Sequence, residues 1–578
     1  MRARRLIPNW LKNYRRQWLA GDATAALVAT MMLVPQALAY AALAGLPPHI
    51  GLYASLLPLI GYALFGSSSV LSVGPVAVLA LMTASALTPL AAPGSAEYIA
   101  GAVLLAALSG LFLFAMGLMR LGALSNLLSH PVISGFVSGA ATLIIIGQIS
   151  PLLGVDTEGD TALQLLTGTL TQLAETAPFT AMVGIGAVLV LAMSKLWLGI
   201  TLVKLGMRAH NARLLARLAP MLVVLVAIAL TAILHLEKEM AVVGEIPPGL
   251  PALSIPAFDW SQVHRLLLPA LIIALLGFVE SLSIAHAIAL RRGERLNADA
   301  ELRGLGAANL FSALSGGFAV TGSFARTAIN DEGGAASPMS GIIAAALVAL
   351  VLMHLTPLFT ELPLTILAAT IIVAAAGLID VRGFLHNWRY DRTDGLAMAG
   401  TFLGVLLFGV EAGIGLGIGL SFATLIWRSS RPHIAVVGRV PGTEHFRNVL
   451  RHTVDTQPEI LFLRIDESLF FSNINAVEER ILSELKRHPD IRELVLILSS
   501  VSRIDGTALE CLQQINRDLR GWNIRLHLSE VKGPVLDRLG RSKFLEELSG
   551  RVFLSNYIAE LALRQGDAAA SNGQRRLD

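Results

Sequence analysis

Ser72-Val73-Gly74-Pro75 and, in the second half of the apolar region, Thr321-Gly322-Ser323-Phe324-Ala325-Arg326 each interrupt a hydrophobic segment near its middle. A helix that stops or starts inside a bilayer leaves N–H groups unpaired, and these are tolerated only where they line a cavity or meet an anion. Transporters built from two inverted repeats use that device, placing two half-helix N-termini near the bilayer midplane with their positive dipole ends toward an anionic substrate. One break in each half, with Arg326 a few residues into the second half-helix, therefore predicts an anion transport site.

The rest of the chain agrees with a membrane setting. Its 578 residues are 54% hydrophobic and only 15% charged, with mean hydropathy +0.65, outside the range of soluble globular proteins. The charge is unevenly spread: about 10% of the first 430 residues are Asp, Glu, Lys or Arg, against about 28% of the last 148. Two bodies follow, a transmembrane domain over 21–430 and a soluble domain over 431–565, with a basic segment 1–20 before them and a polar, small-residue tail over 566–578 expected to be disordered. Arg2, Arg4, Arg5, Lys12, Arg15 and Arg16 precede Asp22, the first acidic residue. That bias predicts a cytoplasmic N-terminus, and the long apolar stretch behind it is unlike a cleavable signal. A net charge of +3 without a basic patch gives no reason to expect a nucleic-acid partner. The single cysteine, Cys511, excludes an internal disulfide framework and a cysteine-based metal site, and reads as an ordinary buried thiol.

About 20 apolar residues cross a bilayer. Runs of this kind between 22–44 and 411–428 give about fourteen segments, an even number that puts both termini on the same, cytoplasmic side. Gly413, Gly415, Gly417 and Gly419 form a small-residue stripe suited to close helix packing. Beyond Arg431 short β-runs at 460–465, 493–498 and 524–528 alternate with helical periodicity at 475–486 and 507–520, which implies a small α/β layer structure.

Three stretches together resemble a known family. The run from Gln36-Ala-Leu-Ala-Tyr40 through Pro47-Pro48-His49-Ile50-Gly51 to Ser55 is similar to the signature of the SulP sulfate permeases, grouped in animals as solute carrier family 26. Ser72-Val-Gly-Pro75 and Thr321-Gly-Ser-Phe-Ala-Arg-Thr-Ala-Ile-Asn330 resemble that family's third and tenth transmembrane segments, and the C-terminal piece resembles its STAS domain. The resemblance implies seven plus seven inverted repeats, a core domain moving against a gate domain as an elevator, and a homodimer with cytoplasmic STAS domains. Carried over by position, it puts the anion between the half-helix N-termini at Gly74-Pro75 and Ser323, lined by Gln36, Tyr40, Val76, Phe324, Ala325 and Arg326. Ala325 stands where some members have serine, so one hydroxyl contact is missing here.

Two helix N-termini contribute about half a positive charge each and Arg326 one more, a total of about +2 that suits a dianion. A monoanion accompanied by a carboxylate would satisfy the same sum, and Arg326 pairing with Asp331 or Glu332 at a cytoplasmic edge is the structural alternative. Glu280 lies in the apolar run Leu275-Leu-Gly-Phe-Val-Glu-Ser-Leu-Ser283. An ionised carboxylate at bilayer depth costs at least about 2.5 kcal/mol, so such a residue is functional by default, and a carboxyl able to hold a proton there is what a proton carrier requires. In the plant-type and bacterial sulfate members that this stretch resembles, the acidic residue is tied to proton coupling; sodium coupling and a structural carboxylate paired with Arg326 are the alternatives. His286 reads as a snorkelling or packing residue. Asp22 reads as a helix N-terminal carboxylate and Glu411 as a loop or interface charge.

In the soluble domain, Ile504-Asp505-Gly506-Thr507-Ala508 occupies the place of the phosphorylated Asp-Ser-Ser-Gly of anti-sigma antagonists, with an N-capping Asp505 as the plain reading. No Walker A, Rossmann, metal-cluster or nucleophile-elbow pattern occurs, which argues against an enzyme, a bound cofactor and nucleotide-driven transport. The leading expectation is proton-coupled sulfate uptake through the inner (plasma) membrane, because the 321–330 stretch and Phe446-Arg-Asn-Val look closest to sulfate-type members. Sodium-coupled bicarbonate transport, C4-dicarboxylate transport, and a signalling or scaffold protein whose STAS domain recruits partners remain open beside it.

Overall fold

The computed structural model describes residues 8–123, 129–155, 157, 159–255 and 260–564. The expected tail, and the first seven residues of the basic segment, lie outside them. The chain separates into two compact units, Met1–Ser421 and Phe422–Asp578.

The first unit is helical. Eight helices among the described residues are long and apolar enough to cross a membrane, and three shorter apolar helices accompany them. Helix occupies part of each of the fourteen expected segments, but several stretches are too short to span alone, so length does not fix the number of crossings. The elements that build the site are α1 (Leu19–Leu43), β1 (Val73–Gly74), α2 (Ala77–Leu87), α3 (Trp260–Arg292), α4 (Ala298–Leu314), β2 (Thr321–Gly322) and α5 (Phe324–Glu332). After them come α6 (Leu364–Ala376), α7 (Val381–Tyr390), α8 (Arg392–Phe408) and α9 (Val410–Ser429).

Residues from all parts of this unit share one buried apolar core, among them Leu33, Val73, Leu79, Phe278 and Phe318. Gly51, inside the 36–55 signature, lies directly against the Ala37 carbonyl of α1, so any side chain there would separate the two segments. Of the four glycines in α9, Gly413 and Gly417 pack against Val405 and Thr401, whereas Gly415 and Gly419 face open space. Helical periodicity explains the division, since residues four apart share a face and those two apart do not. Half of the expected packing stripe is therefore a packing stripe.

Asp22 does sit in the first turn of α1, yet apart from the Tyr14 hydroxyl its partners are remote. Fully buried, it accepts from the Ala336 N–H at 2.7 Å, the Ser337 N–H at 3.1 Å and the Ser337 hydroxyl at 2.8 Å. It is a cross-link between the two halves of the unit, which a reading from the helix dipole alone does not contain.

The second unit carries a six-stranded sheet in the order β4-β3-β5-β6-β7-β8, formed by β3 (Ile434–Arg439), β4 (Phe446–Asn448), β5 (Ile460–Ile465), β6 (Glu493–Ile497), β7 (Arg525–Ser529) and β8 (Val552–Phe553). Strands β5 to β8 run parallel, and β3 joins β4 and β5 antiparallel. The unbroken apolar run of β5 is explained by burial on both faces: Leu461, Leu463 and Ile465 enter one core, Ile460 and Phe462 the other. Helices α10 (Ile474–Arg487) and α11 (Gly506–Gly521) match the two expected from periodicity. Asp505 caps α11 by accepting from the Ala508 N–H at 2.8 Å, and its other oxygen accepts from the Phe471 N–H at 2.8 Å. That engagement is the plain reading of the 504–508 motif.

Candidate functional site

The two breaks meet. Val73 pairs with Gly322 and Gly74 with Thr321 in a short antiparallel ladder, extended by a hydrogen bond from the Ser323 N–H to the Ser72 carbonyl at 3.0 Å. Because the strands run in opposite directions and each leads straight into a helix, α2 and α5 leave the ladder at its two ends, N-termini inward. Val76 and Ser323 are their extended N-cap residues, and neither supplies a side-chain cap. Some other helix starts in the same unit are capped by side chains, as by Ser95 and Asn297. Bare first-turn N–H groups at two facing N-termini form a region of positive potential that favours an anion.

Arg326 projects from the first turn of α5 and is fully buried. Its Nη1 donates to the Pro75 carbonyl at 2.9 Å and to Gln36 Oε1 at 3.3 Å, tying α5 to the start of α2 and to α1. The remaining nitrogens, Nε and Nη2, are buried without a hydrogen-bond partner among the described residues. Two guanidinium nitrogens with unused donors beside helix N-termini suit an incoming oxyanion. Asp331 and Glu332, the alternative partners weighed above, are engaged elsewhere: Arg292 binds Asp331 at 2.7 Å and Arg217 binds Glu332 at 2.9 Å. A Cβ at Gly74 would stand 3.2 Å from Arg326 Nη2, a tight contact, so glycine keeps room for the guanidinium there.

Gln36 and Tyr40 lie one turn apart on α1, with Tyr40 buried and within electrostatic range of both Arg326 and Glu280. Phe324 and Ala325 face open space at the start of α5, whereas Val76 is buried. Glu280 is on α3, and its Oε2 is buried with no hydrogen-bond partner among the described residues. The adjacent Ser281 holds the ladder, accepting from the Gly322 N–H at 2.7 Å and lying 2.6 Å from the Thr321 hydroxyl. The helix that carries Glu280 is thus bonded to the backbone that opens α5. His286 is exposed, away from this group.

A second set of residues, not singled out from the sequence, fixes β1. Glu301 of α4, fully buried, accepts from the Tyr62 hydroxyl at 2.7 Å and from the N–H groups of Ser67 at 2.8 Å and Ser68 at 2.9 Å. Thr327 accepts from the Ser72 N–H at 3.1 Å, and Asn330 donates to the Val70 carbonyl at 2.9 Å. Residues from the second half of the unit therefore shape the loop that leads into Gly74-Pro75. The available signal was an acidic residue at the edge of an apolar segment. A cavity of about 430 Å³ between Pro178–Met193 and Ala219–Leu234 is lined almost wholly by apolar side chains and contains none of these residues.

Facing broken-helix N-termini around a buried arginine, in a helical membrane unit followed by an α/β unit, define a membrane anion transporter. The chain belongs to the sulfate permease family, whose model matches residues 19–401, and a STAS domain model matches 452–557. It is 34% identical over 551 residues to "Sulfate transporter 4.1, chloroplastic" of Arabidopsis thaliana, covering 93% of this chain and 79% of that one. It is also 34% identical over 563 residues to "Probable sulfate transporter MT1781" of Mycobacterium tuberculosis, covering 96% and 97%. The fold is similar to the solved structure of SLC26A9, with TM-score 0.86 at 21% identity, covering 98% of this chain and 93% of that one.

Proposed function

We propose that this transporter imports sulfate with protons. The observation that carries the reading is Arg326, buried between two uncapped helix N-termini with two donors unused. The anion receives these donors and the first-turn N–H groups of α2 and α5, with Gln36, Tyr40, Val76, Phe324 and Ala325 around it. The names of the plant and bacterial relatives support sulfate as the anion. Glu280, unpartnered and in electrostatic contact with Arg326, carries the proton. Coupling lowers the energetic cost, because each net negative charge moved inward against about 100 mV costs about 2.3 kcal/mol and each accompanying proton removes one such charge. Since β1, β2 and α1 to α5 are bonded to one another, they move as one body past the remaining helices, an elevator that carries the site across. The proposal includes a homodimer in the inner (plasma) membrane, both termini cytoplasmic, with the STAS module at 431–565 available to cytoplasmic partners.

The test is labelled sulfate uptake into proteoliposomes with and without an inward proton gradient, for the wild type and Glu280→Gln. Stimulation by the gradient in the wild type alone supports both substrate and coupling residue. Absence of sulfate entry under either condition, with entry of bicarbonate or succinate instead, overturns the substrate.

A further inference from the structure

Between the apolar helices α6 and α8, the ten residues of α7 read Val-Arg-Gly-Phe-Leu-His-Asn-Trp-Arg-Tyr, and none is buried. Val381, Phe384, Leu385 and Trp388 recur at the spacing of one helical face, yet Val381 is 60% exposed and Leu385 50% exposed. Trp388 packs against Gly395 of α8 and anchors the helix. Arg382 and Arg389 lie on a second face about a quarter-turn away. Neither forms an ion pair or side-chain hydrogen bond among the described residues. The neighbouring acids do not neutralise them by bonding, because Asp380 and Asp391 are occupied as helix caps, accepting from the Gly383 and Thr393 N–H groups at 2.8 Å each. Lys195 marks the same level: its Nζ donates to the Val373 carbonyl in the last turn of α6 at 3.1 Å, where a lysine reaches polar surroundings from an apolar helix.

An amphipathic helix with aromatic and aliphatic residues on one side and arginines beside them, joined at both ends to membrane helices, has the composition of one lying in the plane of the interface. We propose that α7 lies in the membrane interface, with Val381, Leu385 and Trp388 in the acyl region and Arg382 and Arg389 binding phosphates of anionic phospholipids. The charge complementarity is with a lipid leaflet rather than with a protein groove, since the unpaired cations and the exposed apolar residues occupy adjoining faces of one short helix.

The experiment exchanges the purified full-length protein into mixed phosphatidylcholine and phosphatidylglycerol micelles and measures the enrichment of phosphatidylglycerol bound to it. Arg382→Gln with Arg389→Gln should lower its affinity about five-fold per arginine, roughly 25-fold together. The paired lysine replacements should retain most of it, and Arg541→Gln in the soluble unit should change nothing. Unchanged enrichment in the glutamine pair overturns the proposal. So does an altered oligomeric state with unchanged lipid binding, which would make α7 a contact between copies. Should the glutamine pair fail to fold, the wild type decides: enrichment must fall steeply between 0.1 M and 1 M salt, and salt-insensitive or absent enrichment refutes the assignment.

Discussion

Replacing Arg326 with methionine separates a binding arginine from a structural one. In the apo protein its Nε and Nη2 lack partners, about 1–3 kcal/mol each, and its charge stands beside two positive helix ends. Against that stand the hydrogen bonds to Pro75 and Gln36, about 1 kcal/mol each and somewhat more for a charged donor, and the desolvation of a Pro75 carbonyl left unpaired. These contributions nearly cancel, so Arg326→Met should leave apo stability within about 2 kcal/mol of the wild type. The loss with sulfate is larger: two charge-assisted bonds at about 1.5–3 kcal/mol each weaken binding about 100-fold or more. At a sulfate concentration near 100 times the wild-type Kd, the anion stabilises the wild type by about 2.7 kcal/mol, whereas the variant gains about 0.4 kcal/mol or less. Thermal unfolding in detergent, followed by tryptophan fluorescence with and without sulfate, reads both quantities. A variant that keeps the full sulfate-dependent shift, or that unfolds far below the wild type without sulfate, refutes the reasoning.

Glu301→Ala should destabilise the first unit by about 3–5 kcal/mol, because it strands buried donors from Tyr62, Ser67 and Ser68, while Glu301→Gln keeps most of them and should cost about 1–2 kcal/mol; denaturant titration orders the two. In the second unit, burial alone would raise the Glu493 carboxyl, but hydrogen bonds from His527 and Arg525 outweigh it and hold it below the usual range. A depressed folded value stabilises above the ordinary glutamate pKa of about 4.3 and is lost as pH falls through the folded one. Exchange protection of β6 and β7 should therefore hold from pH 7 to about 5 and decline below about 4, less steeply in Glu493→Gln. Burial, with the Glu478 carboxylate beside it, pushes the Cys511 thiol up to about 11. Maleimide labelling at pH 7.5 should run roughly 100-fold slower than for an ordinary thiol and speed up in Glu478→Gln.

Much of the candidate site's geometry was legible because its signals are local. Gly74-Pro75 and Thr321-Gly322-Ser323 break apolar runs, Glu280 is the one acidic residue in its apolar run, and Arg326 is the one basic residue in the short segment after the second break. What the sequence does not hold is which residue meets which. Asp331 and Glu332 lie close to Arg326 along the chain, but the turn of α5 directs them to Arg292 and Arg217. Asp22 looked like a terminal charge because the Ala336 and Ser337 groups it holds are hundreds of positions away, and Glu301 drew no notice because Tyr62, Ser67 and Ser68 are equally remote from it. Strands β3, β4 and β8 escaped notice for a different reason. β4 and β8 are short strands at the two edges of the sheet, and β3, interior and six residues long, mixes half-buried with buried positions, while β5 to β7 are buried on both faces and read as apolar runs.

The central claim is the place of the anion, and a structure of the protein soaked with selenate, a heavier analogue of sulfate located by its anomalous signal, tests it most directly. The account predicts a peak between the first turns of α2 and α5, within hydrogen-bond distance of Arg326 Nη2. A bound selenate elsewhere in the membrane unit, with none at the two helix starts, would contradict it.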